Sequence, residues 1–239
     1  MVLDFGAHPD VVFSRAPLSL VICQVTFSPV LALRSLEGIA GFQEGLRRSY
    51  PQFFEVEGEP PVWTLSDEAD EWRVAVSQDF VLLQTRRYRD TADFIERFRQ
   101  VLWVLDNTIS PSASRRIGFR KVNEIALPVP HDPASLVGLI RSELLGPLSA
   151  VPAPAAMQSV LEFADEDDLL VVRYGLGESS RQERAFILDC DYSTQRPYGV
   201  EDGALVQLLR DYSRAITSFF HWALEESFKE HLGPVQRRG

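Results

Sequence analysis

Arginine, glycine and arginine alternate at positions 116, 118 and 120, and Lys121 and Asn123 follow closely. In an extended chain successive side chains point to opposite faces, so Arg116, Gly118 and Arg120 share one face. Ile117, Phe119, Lys121, Asn123 and Ile125 share the other. Guanidinium groups present paired donors that match phosphate and carboxylate oxygens. A glycine between two of them leaves room for a ligand or another backbone to approach. Arg86 and Arg87 add cations upstream. Arg86, Arg87, Arg116, Arg120, Lys121 and Asn123 are therefore the candidate binding residues. Their ligand is a partner protein or a phosphate-bearing molecule, nucleic acid included. The competing reading pairs these arginines with acidic residues of the same chain or of a second subunit. Asn123 lies on a mainly apolar face and needs hydrogen-bond partners if buried, which a neighbouring loop would supply.

Asp189 and Asp191 make a second motif. Two carboxylates on one strand face are how many phosphoryl- and nucleotidyl-transfer enzymes and nucleases hold magnesium. Glu162 or Asp165 would serve as a third. No phosphate-binding loop, His-Glu-x-x-His or Gly-x-Ser-x-Gly accompanies them. His221 and His231 are ten residues apart, too far around one helix to share an ion, and His8 and His131 stand alone. No catalytic residue, metal ligand or cofactor is assigned. Gly175 and Gly177 read as a hairpin tip, and the acidic run from Glu162 to Asp168 as a solvated hairpin turn. Tyr212, Phe219, Phe220, Trp222 and Phe228 could line a small-molecule cup, although such spacing usually marks core.

Charge is uneven. The 239 residues carry a net charge of −10, which opposes whole-surface binding to nucleic acid or membrane. Between Arg86 and Lys121 nine basic residues face four acidic ones, so the remainder stands at −15. Cys23 and Cys190 sit in apolar runs and read as buried small hydrophobes, which suits a reducing, cytoplasmic compartment. The first sixteen residues show no signal-peptide pattern, and no apolar run approaches the ~20 residues of a spanning helix.

The elements that must position these residues follow from periodicity. Strands are predicted over Leu18–Phe27, Phe53–Val56, Val62–Leu65, Trp72–Ser77, Phe80–Arg86, Arg116–Leu127, Met157–Phe163, Leu169–Tyr174 and Ala185–Tyr192. Ser28-Pro29 predicts a helix start, with Tyr50-Pro51 as its end. Asp90 predicts the cap of a helix striped by Phe94, Phe98, Val101, Leu102 and Leu105. Asn107–Ser114 reads as a connection. Asp132-Pro133 predicts another helix, stopped at Gly146-Pro147, and Pro152–Pro154 reads as loop. A long last helix carries Leu205, Leu208, Leu209, Tyr212, Ile216, Phe219, Phe220 and Ala223.

Both halves thus read as strand, helix, three or four strands, helix. The expected fold class is α+β: a duplicated unit spanning 1–109 and 110–239 within one compact body. Its antiparallel sheets would carry helices on one face and could join into one. The order resembles the TATA-binding-protein and helix-grip folds, a likeness that carries no function.

The run Arg116-Ile-Gly-Phe-Arg120-Lys-Val-Asn123 resembles the signature strand of a sporadically distributed prokaryotic family of proteins of unknown function. Lys121 stands where that family more often has an aromatic residue. The Pro17-Leu18 opening strand, Tyr50-Pro51, Leu188–Asp191 and the aromatic-rich terminal helix ending near Leu232-Gly233 fit the same pattern. The resemblance implies a whole-chain domain and no activity. By association, a sporadic prokaryotic distribution suits a defence, immunity or toxin–antitoxin role. The leading expectation is a non-enzymatic binding or regulatory protein, with homo-oligomerisation open. The alternatives are a magnesium-dependent transfer enzyme or nuclease, and a small-molecule cup.

Overall fold

The computed structural model describes residue 5 and residues 12–129, 132–146, 156–199 and 203–235. His8, His131, Pro147 and the Pro152–Pro154 loop lie outside them. The fold is α+β. Nine strands form one antiparallel sheet: β2 (Leu18–Thr26), β3 (Gln52–Val56), β4 (Val62–Ser66), β5 (Trp72–Ser77), β6 (Phe80–Thr85), β7 (Arg116–Ala126), β8 (Met157–Asp165), β9 (Asp168–Glu178) and β10 (Arg184–Thr194). Their spatial order is β3-β4-β5-β6-β2-β7-β10-β9-β8. β2 and β7 pair at the centre, so one sheet crosses the expected boundary at residue 109. A two-stranded ribbon joins β1 (Val12–Phe13) to β11 (Pro234–Val235).

The described residues contain five α-helices: α1 (Leu36–Leu46), α2 (Thr91–Thr108), α3 (Ser142–Leu145), α4 (Gly203–Ala223) and α5 (Glu226–Leu232). None is long and apolar enough to cross a membrane. On α2 the residues Phe94, Phe98, Val101, Leu102 and Leu105 are buried as the stripe requires. Asp90 caps the helix, its carboxylate accepting from the Asp93 amide at 2.8 Å. On α4 the buried set includes Leu205, Leu209, Tyr212, Ile216, Phe219 and Phe220. α2 and α4 pack on the same sheet face. Phe94 meets Phe119 of β7 edge-to-face at 5.4 Å, and Tyr212 stacks on Tyr192 of β10 at 4.1 Å.

The two cap-plus-proline signals act differently from expectation. Ser28-Pro29 leads to a single 3₁₀ turn, Leu31–Arg34, pinned by Trp63 Nε1 donating to the Leu33 carbonyl at 2.7 Å. The helix itself starts at Leu36, capped by Ser35, and ends four residues before Tyr50. Asp132-Pro133 likewise opens one 3₁₀ turn, Pro133–Leu136. Val137 is then extended, Gly138 takes φ +81°, and only the four residues of α3 are helical. α2 runs on through Asn107 and Thr108, the start of the expected connection. The terminal helix is broken into α4 and α5, placing His221 and His231 on separate elements. Gly175 and Gly177 lie inside β9 and not at a tip. Gly175 has φ +149°, and a Cβ there would stand 2.0 Å from the Met157 carbonyl oxygen. Glycine is needed because the β8 backbone passes so close.

Candidate functional site: an ion-pair ladder on the open face of the sheet

Strand alternation sorts the candidate residues. Ile117, Phe119, Lys121, Asn123 and Ile125 face the helices and are buried. Arg116, Gly118 and Arg120 face the other way. The helix contacts of Phe94 with Phe119 and of Tyr212 with Tyr192 lie on the first face. The register carries one row of this second, open face across all nine strands: Gln52, Ser66, Arg73, Gln84, Ile22, Arg120, Asp191, Val171 and Glu162, of which Ser66 and Val171 are buried.

The arginine and aspartate motifs meet in the middle of this face. β7 pairs with β10, bringing Arg116 and Arg120 beside Asp191 and Asp189. Arg120 donates through Nε and Nη2 to the two carboxylate oxygens of Asp189, each at 2.7 Å. Arg116 Nη2 donates to Asp191 Oδ2 at 2.8 Å. The fork-to-fork geometry of the first pair is the strong form of such a bond. It raises the Arg120 guanidinium above its usual value, chiefly through the Asp189 hydrogen bonds. Gly118 leaves space, but for a neighbour. A Cβ at 118 would stand 2.5 Å from Arg116 Nη1, so the Arg116 guanidinium itself occupies the room expected for a ligand.

The pairs are not symmetric in exposure. Arg120 and Arg116 keep 43% and 34% of their side-chain surface, whereas Asp189 and Asp191 keep 9% and 22%. In each pair the carboxylate is the more covered partner and the arginine the more exposed. Arg173 of β9, opposite Asp189, is exposed on the same face.

The remaining candidates lie elsewhere. Arg86 and Arg87 are exposed beyond the end of β6. Arg87 pairs with Glu71 at 3.2 Å, and neither joins the ladder. Lys121 is buried under α4, where Nζ donates to Ser213 Oγ at 2.8 Å and Thr217 Oγ1 at 3.0 Å. Ser213 Oγ also bonds Thr91 Oγ1, which bonds Tyr88 Oη, each at 2.8 Å. This polar chain ties α2 to α4 beneath β7. Asn123 is buried at 4% exposure between Leu18 and Leu188 of the flanking strands. Six cations of the basic window pair with carboxylates (Arg87, Arg89, Arg97, Arg99, Arg116, Arg120), so the window does not form one free cationic patch.

The metal and cup readings meet the same geometry. Asp189 and Asp191 each accept from a guanidinium. Among the described residues no group of three or more His, Cys, Asp or Glu is placed to hold a metal ion. Tyr212 and Phe219 are wholly buried, and Tyr212 lies directly on Tyr192. A hollow of about 500 Å³ lies instead between α1, α2 and α4, near Leu46, Phe98, Trp103 and Leu209.

Sequence reasoning missed a further cluster. Asp168, in the acidic run read as solvated, is 4% exposed. It accepts from Tyr212 Oη at 2.9 Å and from Arg196 Nη2. Burial pushes its carboxyl up, but hydrogen bonds from Arg196, Thr194 and Tyr212, with the Arg196 charge, bring it below the usual value. Its position at the first residue of an apolar strand was the available signal. No protein-family model and no curated protein matches the chain.

Proposed function

We propose that this is a non-enzymatic binding protein that docks an acidic segment of a partner protein on the open sheet face, centred on the ladder. The observation that carries the reading is the unequal exposure: Arg116 and Arg120 keep more of their surface than the Asp191 and Asp189 carboxylates that hold them. A partner carboxylate would meet pre-oriented donors whose order is already secured by Asp189 and Asp191. A polyanion fits less well. Its affinity comes from unbalanced cations that release counterions. Here the two central arginines are balanced by Asp191 and Asp189.

The strand order around the β2–β7 pair supports a duplicated unit: β6, β5 and β4 flank β2 as β10, β9 and β8 flank β7. The two 3₁₀ turns and the long helices α2 and α4 occupy matching places. An uncovered face on such a sheet is the feature shared with the TATA-binding-protein type of fold. The regulatory or defence context rests on the resemblance of the Arg116–Asn123 strand alone. The cytoplasmic assignment rests on Cys23 and Cys190, which are buried and free.

The test is the neutral ladder R116Q/R120Q/D189N/D191N, which removes the charges in pairs and keeps hydrogen-bonding side chains. It is expected to fold and to lose its partner in co-purification from the native host. Retained binding by a folded quadruple variant would refute the reading. Gel shifts with single- and double-stranded DNA and RNA are expected to show no binding. Salt-dependent retardation would favour the polyanion instead.

A further inference from the structure

The sheet ends on one side at β8, nine residues long, and among the described residues no strand pairs with its outer edge. Natural edge strands are usually protected by lysine, proline, a bulge or brevity. β8 reads Met-Gln-Ser-Val-Leu-Glu-Phe-Ala-Asp, with no lysine, proline or bulge and with Glu162 and Asp165 as its only charges. Val160 on its open face is 56% exposed. The opposite edge, β3, is only five residues long.

Two exposed charges without an ion pair flank this edge, diagonal to one another across β8 and β9. Arg173 of β9 and Glu162 of β8 are both exposed on the open face, and neither side chain has an ion pair or hydrogen bond to a described residue. Arg173 lies opposite Val160, and Glu162 lies opposite Val171. Asp189, directly opposite Arg173 on β10, is already held by two nitrogens of Arg120.

A second copy of the same strand offers each charge a neighbour of opposite sign across the seam. In an antiparallel pair, residues whose backbone groups point outward must face one another. A two-fold pairing of β8 with itself therefore centres on a residue. Centring on Glu162 would oppose two like charges. Centring on Leu161, the middle residue of β8, pairs all nine positions, Met157 with Asp165 through Glu162 with Val160. Glu162 of each copy then falls in the row of Arg173 of the other, with Val160 between them. Long side chains span that distance over a valine.

We infer that the chain forms an isologous dimer through β8, joining two nine-stranded sheets edge to edge, with reciprocal Glu162–Arg173 pairs across the seam. The dimer places two ladders on one continuous open face and stands independently of what that face binds.

The experiment is sedimentation velocity and light scattering on the full chain, with charge variants. The wild type is expected at twice the 27.0 kDa chain mass. Glu162→Arg and Arg173→Glu each place like charges at the seam and are expected to weaken the dimer by about tenfold or more. The double variant E162R/R173E restores opposite signs and is expected to recover most of that loss. Leu161→Cys places two thiols across the two-fold, at a spacing within disulfide range. Oxidation of this variant is expected to give a covalent dimer, because Cys23 and Cys190 are buried and stay silent. A wild type that remains monomeric at the highest attainable concentration overturns the proposal. So does a dimer that neither responds to the charge exchange nor cross-links when Leu161→Cys is oxidised. If a single charge variant does not fold, the cross-linking of Leu161→Cys decides alone.

Discussion

The unequal burial of the ladder predicts an unequal response to cutting it from its two ends. Arg120→Met keeps the aliphatic stem and removes the guanidinium. It strands the Asp189 carboxylate, 9% exposed, with two charge-assisted bonds lost. Leaving a largely covered charge without its partner costs about 2 kcal/mol or more. Asp189→Asn instead leaves a guanidinium that is 43% exposed and can turn to water. The asparagine still accepts one bond, so the loss is about 1 kcal/mol or less, the range of solvent-screened pairs. For a chain of this size 1 kcal/mol corresponds to roughly 2–4 °C in Tm. Arg120→Met is therefore expected to lower Tm by about 4–8 °C and Asp189→Asn by at most about 4 °C. Thermal unfolding followed by circular dichroism, with urea midpoints as a second measure, reads the difference. Equal losses, or a larger loss for Asp189→Asn, would refute the claim that the covered carboxylate sets the energetics.

Other expectations concern the frame around the ladder. Asp168 has a folded value below its unfolded one, so its contribution is fully present above the ordinary carboxylate range and disappears as pH falls through the lowered folded value. The stability gap between wild type and Asp168→Asn should therefore narrow on acidification, and a gap that does not change with pH would contradict this. Gly175→Ala meets backbone at 2.0 Å in a φ +149° conformation and should cost several kcal/mol, on the order of 3. Gly118→Ala meets only the far end of Arg116 and should cost about 1 kcal/mol while releasing the Arg116–Asp191 pair, as paired urea titrations would read. Burial raises both Cys23 and Cys190, so neither thiol should react with a disulfide reagent faster than the chain opens.

Where a signal is local, the sequence carries it. Trp72–Ser77 is legible to its end residues because alternation and the Gln78-Asp79 turn are contiguous. The facing of Arg116, Gly118 and Arg120 follows from strand period alone. The ladder is not legible, because its partners are 69 and 75 residues apart and meet only through the β7–β10 register. The same limit hides the bonds from Lys121 to Ser213 and Thr217, 92 and 96 residues away. The helix expected after Asp132 fails for a local reason that apolar spacing does not record. Gly138 adopts a left-handed conformation in mid-segment and breaks it. Asp168 escapes detection because composition counts an acidic residue as solvated, whereas Arg196 and Tyr212 arrive from β10's end and α4 to hold it.

The central claim is that the open face, and not the helical layer, meets the partner. A photo-crosslinking amino acid at Gln24, which lies beside Gly118 on that face, tests it directly against the same group at Trp103, exposed on α2. In the native host the Gln24 position is predicted to trap a discrete protein adduct that disappears in the neutral ladder variant. An adduct from Trp103 with none from Gln24, or a Gln24 adduct that survives neutralisation of the ladder, would contradict the account.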